Sequence, residues 1–337
     1  MDKDYLGHLS RQDPAYQYFR EIIQPAAGPD CPGAEYRVFR LHGSNAVYLY
    51  EETHTRTRFV GKFFQHDRQH DPHVARKRME NEFQHLAELR AGGFAELPHY
   101  VARPLGCNAA LNHLLVVEHC RGELFSSILQ RSFARHDAAL LYRKLTALAG
   151  FLCHLHNRTA AAERVNFQEG CHYLDTLLNQ LRSAGLLNWE EGMELCYYKD
   201  LWRCREMMWA DCQVMVHGDA TPDNFLLGEG EQVISFDLER LHRADRVFDV
   251  GRMAGELAHF FLLSSGDRGQ AEPYIGHFLW EYCRHFPDQA QSFAAITERL
   301  PFYLGANLLR IARNDWLSWD YRKRLICEAK SCLRCAA

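Results

Sequence analysis

Two short segments of the sequence carry side chains suited to phosphoryl transfer. The first is the loop HGDATPDN, which contains Asp219 and Asn224, and the second is the strand end FDLE, which contains Asp237. Phosphoryl transfer needs a carboxylate that accepts a hydroxyl proton, oxygen ligands for Mg²⁺ and a cation on the phosphates. Glycine, proline and aspartate are also common in simple turns. The apolar residues on both sides of the loop, and the second strand that follows, favour the chemical interpretation.

These motifs resemble, in type and order, those of the aminoglycoside phosphotransferase and choline kinase family. The family pattern is H-G-D-x-x-x-x-N, then a strand that ends in D-x-E, then a further aspartate, which ADRVFDVG supplies here. The resemblance extends from about Tyr36 to Leu262. The signatures of protein kinases differ, because HGD stands in place of HRD, FDLE stands in place of DFG and no APE segment follows.

The resemblance implies a protein-kinase-like fold and a role for each motif residue. Asp219 would be the catalytic base, and Asn224 and Asp237 would be ligands of Mg²⁺. His217 and Asp249 would support the backbone of the catalytic loop rather than take part in the chemistry.

A lysine on the third predicted strand is the candidate cation for the phosphates. Lys62 in FVGKFF is the only lysine of the predicted three-stranded meander, and a helix follows it. A single strand lysine is often only a solvated edge residue, but this position favours an ATP-binding role. The resemblance implies that Glu82 is its carboxylate partner, because the family's spacing, a glutamate followed by apolar residues at +4 and +7, fits Glu82 with Leu86 and Leu89. Glu80 remains an alternative.

The remaining ATP contacts are expected from two loops. The sequence HGSNAVY contains Gly43, Ser44 and Asn45 but no G-x-G-x-x-G pattern. It resembles the short phosphate loop of small-molecule kinases, in which Ser44 and backbone amides meet phosphate oxygens. The segment VVEHCRGEL resembles an interlobe hinge, which implies that the backbone from Glu118 to Cys120 binds adenine.

The pattern of elements predicts an α+β protein with two lobes. A helix is expected from Asp13 to about Gln24, where Asp13 is the N-cap and Pro14 opens the first turn. The three-stranded antiparallel meander is followed by a helix over about 72–90 and by two further strands, VARPLG (101–106) and HLLVVEHC (113–120), which complete a sheet of about five strands. We divide the chain into a helical extension (1–35), a β-rich nucleotide-binding lobe (36–120) and a helical lobe with the catalytic loop and acceptor-binding helices (121–337).

Helical periodicity dominates the second lobe. A leucine stripe predicts one long amphipathic helix over 141–155. Further helices are expected over 171–186, 190–210, 250–264, 271–285, 289–299 and 302–334. The sequence leaves open whether residues 1–35 cap the acceptor cleft or pack on the first lobe.

Composition narrows the class of protein. The 337 residues are 47% hydrophobic and carry a net charge of −4, which argues against disorder and against a dedicated nucleic-acid binder. Apolar runs are too short for a membrane span, and the N-terminus lacks an apolar signal region, so we expect a cytoplasmic protein. Cys327, Cys332 and Cys335 lack an evident fourth metal ligand. We expect reduced thiols, although the sequence does not decide whether these three bind metal.

The sequence therefore predicts an ATP- and Mg²⁺-dependent kinase that phosphorylates a hydroxyl group of a small metabolite or antibiotic. Residues 251–337 carry 11 basic and 9 acidic residues, which speaks against a polycationic antibiotic and leaves sugars, amino alcohols and anionic metabolites open. Two alternatives are a catalytically inactive nucleotide-binding scaffold or sensor, and a kinase of protein or lipopolysaccharide. Neither the acceptor, the choice between ATP and GTP nor the oligomeric state follows from the sequence.

Overall fold

The structure is a computed structural model that describes residues 3–41, 46–65 and 71–336. The chain folds into two compact units. Unit 1 consists of Met1–Ser127 and Asp223–Arg240, and unit 2 consists of Ile128–Pro222 and Leu241–Ala337. Unit 1 therefore contains two segments of the chain, and the second of them begins at Asp223, near the end of the loop HGDATPDN.

The strands within the described residues are numbered in chain order. They are β1 (Lys3–His8), β2 (Tyr36–Leu41), β3 (Ala46–Glu52), β4 (Arg58–Phe63), β5 (His99–Val101), β6 (Pro104–Asn108), β7 (Leu114–Glu118), β8 (Glu123–Leu124), β9 (Val214–Val216), β10 (Phe225–Leu227), β11 (Val233–Ser235) and β12 (His242–Ala244).

The main sheet of unit 1 has the order β1-β2-β3-β4-β7-β6 among the described residues, and all its neighbouring strands are antiparallel. Lys62 on β4 lies opposite Val47 of β3 and Leu115 of β7. It is therefore an interior-strand residue rather than an edge residue. The expected sheet of about five strands was wrong, because the polar segment KDYLGH adds β1 at the edge.

A second, smaller sheet in unit 1 has the order β5-β11-β10-β8. Strands β10 and β11 form an antiparallel hairpin, and β11 also pairs in parallel with β5. The segment 101–106, expected to be one strand, is divided: Val101 ends β5 in this sheet and Pro104 begins β6 in the main sheet. Strand β11 leads directly into Asp237, so this sheet fixes the start of the FDLE motif.

The helices are numbered in the same way. They are α1 (Pro14–Tyr18), α2 (Gln24–Ala27), α3 (Pro72–Leu89), α4 (Phe125–Arg135), α5 (Ala138–Arg158), α6 (Phe167–Ser183), α7 (Trp189–Arg203), α8 (Val247–Ser265), α9 (Glu272–Cys283), α10 (Gln289–Ala312) and α11 (Trp319–Leu333). Two π-helical turns, Phe19–Ile23 and Arg90–Phe94, continue α1 and α3. Short 3₁₀ turns lie at Glu206–Met208, Pro222–Asn224, Arg268–Ala271 and Arg334–Ala336.

The N-terminal segment packs on the main sheet of unit 1. Asp13 caps the first helix, as expected, by accepting a hydrogen bond from the amide of Ala15. The helical path then runs through the π-turn to Ala27. Phe19 is fully buried between Tyr36, Tyr50 and Phe59, with its ring centroid 4.6 Å from that of Tyr50 and 5.0 Å from that of Phe59. These contacts make the segment part of the core of unit 1.

Helix α10 corrects the expected helix boundaries at the C-terminus. We expected a break at Pro301, but the helix continues through it to Ala312, and α11 begins only after Ser318 caps its first turn. A proline inside a helix costs about 3 kcal/mol. The burial of Ile296 and Phe302 on either side offsets this cost, at roughly 1.5–3 kcal/mol for each buried side chain. The unbroken helix packs against α8 and α11.

In the described part of the chain, none of the helices combines the length and the apolar character needed to cross a membrane.

Candidate active site

A buried lysine joins three carboxylates in unit 1. The Nζ atom of Lys62 lies 2.8 Å from Oε2 of Glu82, 2.5 Å from Oδ1 of Asp237 and 3.4 Å from Oε2 of Glu239. The lysine side chain is only 10% exposed. Glu80, the alternative partner, instead lies exposed on α3 and pairs with Arg76. The structure therefore pairs Lys62 with Glu82.

The pKa values of Lys62 and Glu82 are both raised in this cluster, for different reasons. Burial alone would lower the pKa of Lys62, but Glu82, Asp237 and Glu239 overcome it and hold that pKa above its usual value. Burial raises the pKa of Glu82 to about 7, with Lys62 acting against the shift and Asp237 adding to it. The two shifts are compatible, because one ammonium group is shared by three carboxylates and Glu82 is the most deeply buried of them. Lys62 therefore stays cationic.

Glu239 has a second cationic partner. Its Oε1 atom accepts a hydrogen bond of 2.7 Å from Arg78 on α3. Burial would raise the pKa of Glu239, but Lys62 and Arg78 hold it below its usual value. In the D-x-E motif, Glu239 is thus an ionised carboxylate two residues after Asp237. The sequence contained this signal, but no role was assigned to Glu239 from it.

The same carboxylates form a group that fits a divalent cation. Oxygen atoms of Glu82, Asp237 and Glu239 all lie within 4.8 Å of one another. Carboxylate oxygens are the ligands that Mg²⁺ prefers. All three carboxylates contact Lys62, and Asp237, whose side chain is 26% exposed, is the most accessible of them.

The backbone around Asp237 is held in an unusual conformation. Asp237 has a φ of 61°, in the left-handed region that few residues other than glycine adopt. Next to it, the carbonyl oxygen of Leu238 lies 2.9 Å from Nδ1 of His85 on α3. The amide of Phe236 donates to the carbonyl of Asn224, and Asn224 is itself buried. These contacts tie the end of the catalytic loop to the strand that carries Asp237.

The other residues expected to bind ATP are only partly described. Gly43, Ser44 and Asn45 lie outside the described residues. Glu118 ends β7, and its amide donates to the carbonyl of Arg103. Any adenine contact of Glu118 would therefore involve its carbonyl oxygen, and a contact with the backbone of His119 and Cys120 stays a prediction. Burial raises the pKa of the Cys120 thiol to about 12, so this thiol remains protonated.

In unit 2, the loop HGD is held by one buried carboxylate. Asp249 on α8 accepts hydrogen bonds from the amides of His217 at 2.6 Å and Gly218 at 3.0 Å. Gly218 has a φ of 77°, which favours glycine at this turn. The loop begins after β9, which is paired with β12. Asp249 thus sets the backbone path immediately before Asp219.

A buried histidine completes the support of Asp249. Nε2 of His156 on α5 lies 3.1 Å from Oδ2 of Asp249, and its Nδ1 lies 2.8 Å from the hydroxyl of Tyr282. Burial would raise the pKa of Asp249, but His156 and the amide of His217 hold it below its usual value. Burial lowers the pKa of His156, although Asp249 opposes this shift. The arrangement is an ionised Asp249 beside a neutral imidazole.

Asp219 contacts two arginines that the sequence interpretation did not include. Its Oδ1 atom lies 2.5 Å from Nη1 of Arg252 on α8 and 3.9 Å from Nη1 of Arg310 on α10. Arg252 follows Asp249 by three residues and so shares its helix face, which is a signal that the sequence contained. Arg310 gave no such signal, because its position depends on the continuation of α10 through Pro301.

Comparison with known proteins identifies the family. The model of the phosphotransferase enzyme family matches residues 35–286. The chain therefore belongs to the phosphotransferase enzyme family. Its reaction is that of a kinase. A search of curated proteins found no matching sequence.

Solved structures show the same kinase-like α+β fold at low sequence identity. Plasmodium vivax ethanolamine kinase is 12% identical with a TM-score of 0.58, and the match covers 95% of this chain and 84% of that one. Choline kinase from Cryptosporidium parvum is 11% identical with a TM-score of 0.60, covering 94% and 92%. An amicoumacin kinase, solved with AMP-PNP, Ca²⁺ and Ami, is 15% identical with a TM-score of 0.60, covering 97% and 94%.

Proposed function

We propose that this protein is an ATP-dependent small-molecule kinase that transfers the γ-phosphate to a hydroxyl group of a small metabolite or antibiotic. The observation that carries the proposal is the buried cluster in which Lys62 binds Glu82 and Asp237. It combines a cation for phosphate oxygens with carboxylates for a metal in one place. Membership of the phosphotransferase enzyme family supports the same reaction class.

In this proposal, unit 1 binds the nucleotide and the metal. Lys62 contacts phosphate oxygens of ATP, and Glu82 holds the ammonium group in position. Asn224 and Asp237 bind Mg²⁺, and we add Glu239 as a further carboxylate of this site. When bound, Mg²⁺ neutralises charge on the phosphate oxygens. The amicoumacin kinase was solved with a nucleotide analogue and a divalent cation, which supports this assignment.

Two further parts of unit 1 belong to the proposed nucleotide site. Gly43, Ser44 and Asn45 contact the phosphates, and the backbone from Glu118 to Cys120 contacts adenine. An ATP-dependent kinase draws on the cytoplasmic pool of ATP, so we place the enzyme in the cytoplasm.

Unit 2 activates the acceptor. Asp219 orients the acceptor hydroxyl and accepts its proton, while Asp249 and His217 keep the loop backbone in place. The acceptor oxygen forms a bond to the γ-phosphorus, and the bond from this phosphorus to the β–γ bridging oxygen breaks, so that ADP leaves. The proton on Asp219 is then released to solvent.

The test separates binding from turnover with a matched pair of variants in one loop. Asp219→Asn keeps an oxygen for Arg252 but cannot accept the proton. We expect it to lose a factor of about 10²–10⁴ in phosphate transfer, while Mg·ATP still raises its melting temperature as in the wild type. Asp223→Ala, which alters an exposed side chain four residues later, is the control and should keep wild-type turnover.

Turnover is followed as ADP formation with aminoglycosides, amino alcohols, sugars, sugar phosphates, hydroxy acids and nucleosides as acceptors. Wild-type turnover by a folded Asp219→Asn variant would contradict the assignment of the base. If Mg·ATP stabilises the wild type and no acceptor is phosphorylated, the result would instead favour a catalytically inactive nucleotide-binding protein.

A further inference from the structure

We propose that the acceptor carries an anionic group, a carboxylate or a phosphate, next to the hydroxyl that is phosphorylated, and that Arg252 and Arg310 bind this group. The inference rests on the proposed function, because it assumes that Asp219 is the base. It narrows the acceptor to a chemical class that neither the family nor the structural relatives specify.

Arg252 is built into the site beside Asp219. One end of its guanidinium group binds Asp219, and the other end donates a hydrogen bond of 3.0 Å to the hydroxyl of Tyr173. The guanidinium carbon lies 4.9 Å from the ring centroid of Phe248. The Arg252 side chain is only 3% exposed, whereas Asp219 is 20% exposed. This cation is therefore fixed at the inner side of the carboxylate, and it has lost most of its hydration.

Arg310 places a second cation within 4 Å of the same carboxylate. It pairs with Glu256 on α8 and donates from Nε to Asn307 at 2.8 Å. Burial would lower the pKa of Arg310, but Glu256 and Asp219 hold it above its usual value. Because Glu256 and Asp219 are the only carboxylates that the described contacts place on these two arginines, the resting cluster of two cations and two anions is neutral.

The charge balance changes when Asp219 works as a base. Once Asp219 accepts a proton, Glu256 is the one ionised carboxylate that the described ion pairs leave on Arg252 and Arg310, so this group of four side chains gains one positive charge. An uncompensated charge is costly in a partly buried site. An anionic group on the acceptor supplies the missing counter-ion, and it also competes with Asp219 for Arg252, which frees Asp219 for the hydroxyl.

A cationic acceptor would meet the opposite situation. Its ammonium group would approach Arg252 and Arg310 at the point where the positive charge increases during the reaction, and like charges in close contact are mutually destabilising. Ethanolamine kinase and choline kinase are named for cationic amino alcohols. We therefore expect ethanolamine and choline to be poor acceptors for this chain.

The space beside Arg252 is small. A cavity of about 10 Å³ is lined by Gly170, Tyr173, Phe248, Arg252, Phe302, Tyr303, Ala306 and Asn307. This volume is at the lower limit of the space that holds one water molecule. This space is too small for a carboxylate or a phosphate, so an anionic group of the acceptor would meet Arg252 on the side of Asp219, which is 20% exposed.

The experiment compares acceptors in matched pairs. Hydroxy acids are compared with their amides, and sugar phosphates with the free sugars, so that the two arms distinguish a carboxylate from a phosphate. We expect the anionic member of at least one pair to have a kcat/KM at least tenfold higher than its neutral partner, with choline below both. Arg252→Gln should raise KM for the anionic acceptor at least tenfold and leave KM for ATP unchanged.

Two controls make the result specific. Arg284→Gln, on an exposed side chain of unit 2, should behave as the wild type. In a binding assay without turnover, glycolate or inorganic phosphate should raise the melting temperature of the wild type more than that of Arg252→Gln.

Three results would overturn the inference: equal or better turnover of neutral or cationic acceptors, an Arg252→Gln variant that lowers kcat equally for both members of a pair without a change in KM, or equal stabilisation of both proteins by the two anions. The first two results would leave the proposed kinase function intact. A folded wild type that neither binds Mg·ATP nor transfers phosphate would contradict that function instead.

Discussion

At the scale of single residues, Asp249 links the helical core to the catalytic loop. Its fully buried carboxylate accepts hydrogen bonds from the backbone amides of His217 and Gly218. It also contacts the ring of His156. Two donors that belong to the loop backbone thus depend on one side chain. The position of Asp219 therefore depends on α8 as well as on the sequence of the loop.

Asp249→Asn tests this dependence. Asparagine offers one acceptor oxygen and directs its amide group at a backbone amide, so one buried donor loses its partner. We expect a loss of about 1–3 kcal/mol in the free energy of unfolding, measured by urea denaturation at pH 7.5. The matched control is Asp288→Asn at the N-cap of α10, where asparagine caps equally well. An unchanged stability of Asp249→Asn would contradict the bracing role.

His156 predicts a pH dependence with a definite sign. Its folded pKa lies below the ordinary value of 6.5 because of burial, so below pH 6.5 the unfolded chain binds more protons than the folded protein. The free energy of unfolding of the wild type should therefore fall as pH falls from 6.5, by up to about 1.4 kcal/mol per pH unit from this group.

The variant His156→Gln removes the titrating ring and should show a shallower decrease between pH 6.5 and 5.5 in urea titrations. His172→Gln, exposed on α6, should follow the wild-type slope. If His156→Gln and the wild type have the same slope, the buried imidazole is not the source of the pH dependence.

The residues of the candidate site were predictable where their spacing follows a local rule. Glu82 could be selected over Glu80 because the spacing of the resembling family, a glutamate followed by apolar residues at +4 and +7, fits Leu86 and Leu89. Arg310 could not be found, because its contact with Asp219 depends on the packing of α10 against α8. The assignments of ATP and metal roles to these residues remain predictions.

At the scale of elements, the N-terminal segment is an integral part of unit 1. β1 extends the main sheet, and the π-turn places Phe19 among the rings of Tyr36, Tyr50 and Phe59. Residues before the family match, which begins at 35, thus contribute to the core on which β4 and Lys62 depend.

Phe19→Ala tests this contribution. Removal of a fully buried aromatic ring should lower the free energy of unfolding by about 3–5 kcal/mol, measured by chemical denaturation, and should weaken the stabilisation by Mg·ATP in parallel. The control is Ile22→Ala in the same π-turn, where the side chain is 53% exposed. A Phe19→Ala variant as stable as Ile22→Ala would mean that the segment does not support the sheet.

The elements were predictable from periodicity where the pattern is local. Helix α3 and the β2–β3–β4 meander follow from hydrophobic spacing and from Pro72 at the first helical turn. The strand β1 was missed because KDYLGH is polar and mostly exposed, so an edge strand leaves no alternating pattern. The break expected at Pro301 was wrong because the burial of side chains on both sides of the proline outweighs the free-energy cost of a proline inside a helix.

At the scale of the whole molecule, the proposed chemistry divides between the two units. Unit 1 holds Lys62, Glu82 and Asp237, and unit 2 holds Asp219 and its two arginines. The slightly basic segment 251–337 supplies both Arg252 and Arg310. The net positive charge of this segment and the two arginines beside Asp219 both disfavour a polycationic acceptor.

The most direct test of the central claim is ³¹P NMR of the protein with Mg·ATP and a mixture of hydroxy acids, sugar phosphates, sugars, amino alcohols and aminoglycosides. We predict that the wild type produces ADP and a new phosphomonoester signal at equal rates, and that Asp219→Asn, although still stabilised by Mg·ATP, produces neither at more than about 1% of the wild-type rate. A phosphomonoester signal that grows equally fast with Asp219→Asn, or a wild type that binds Mg·ATP and phosphorylates none of these compounds, would contradict the account.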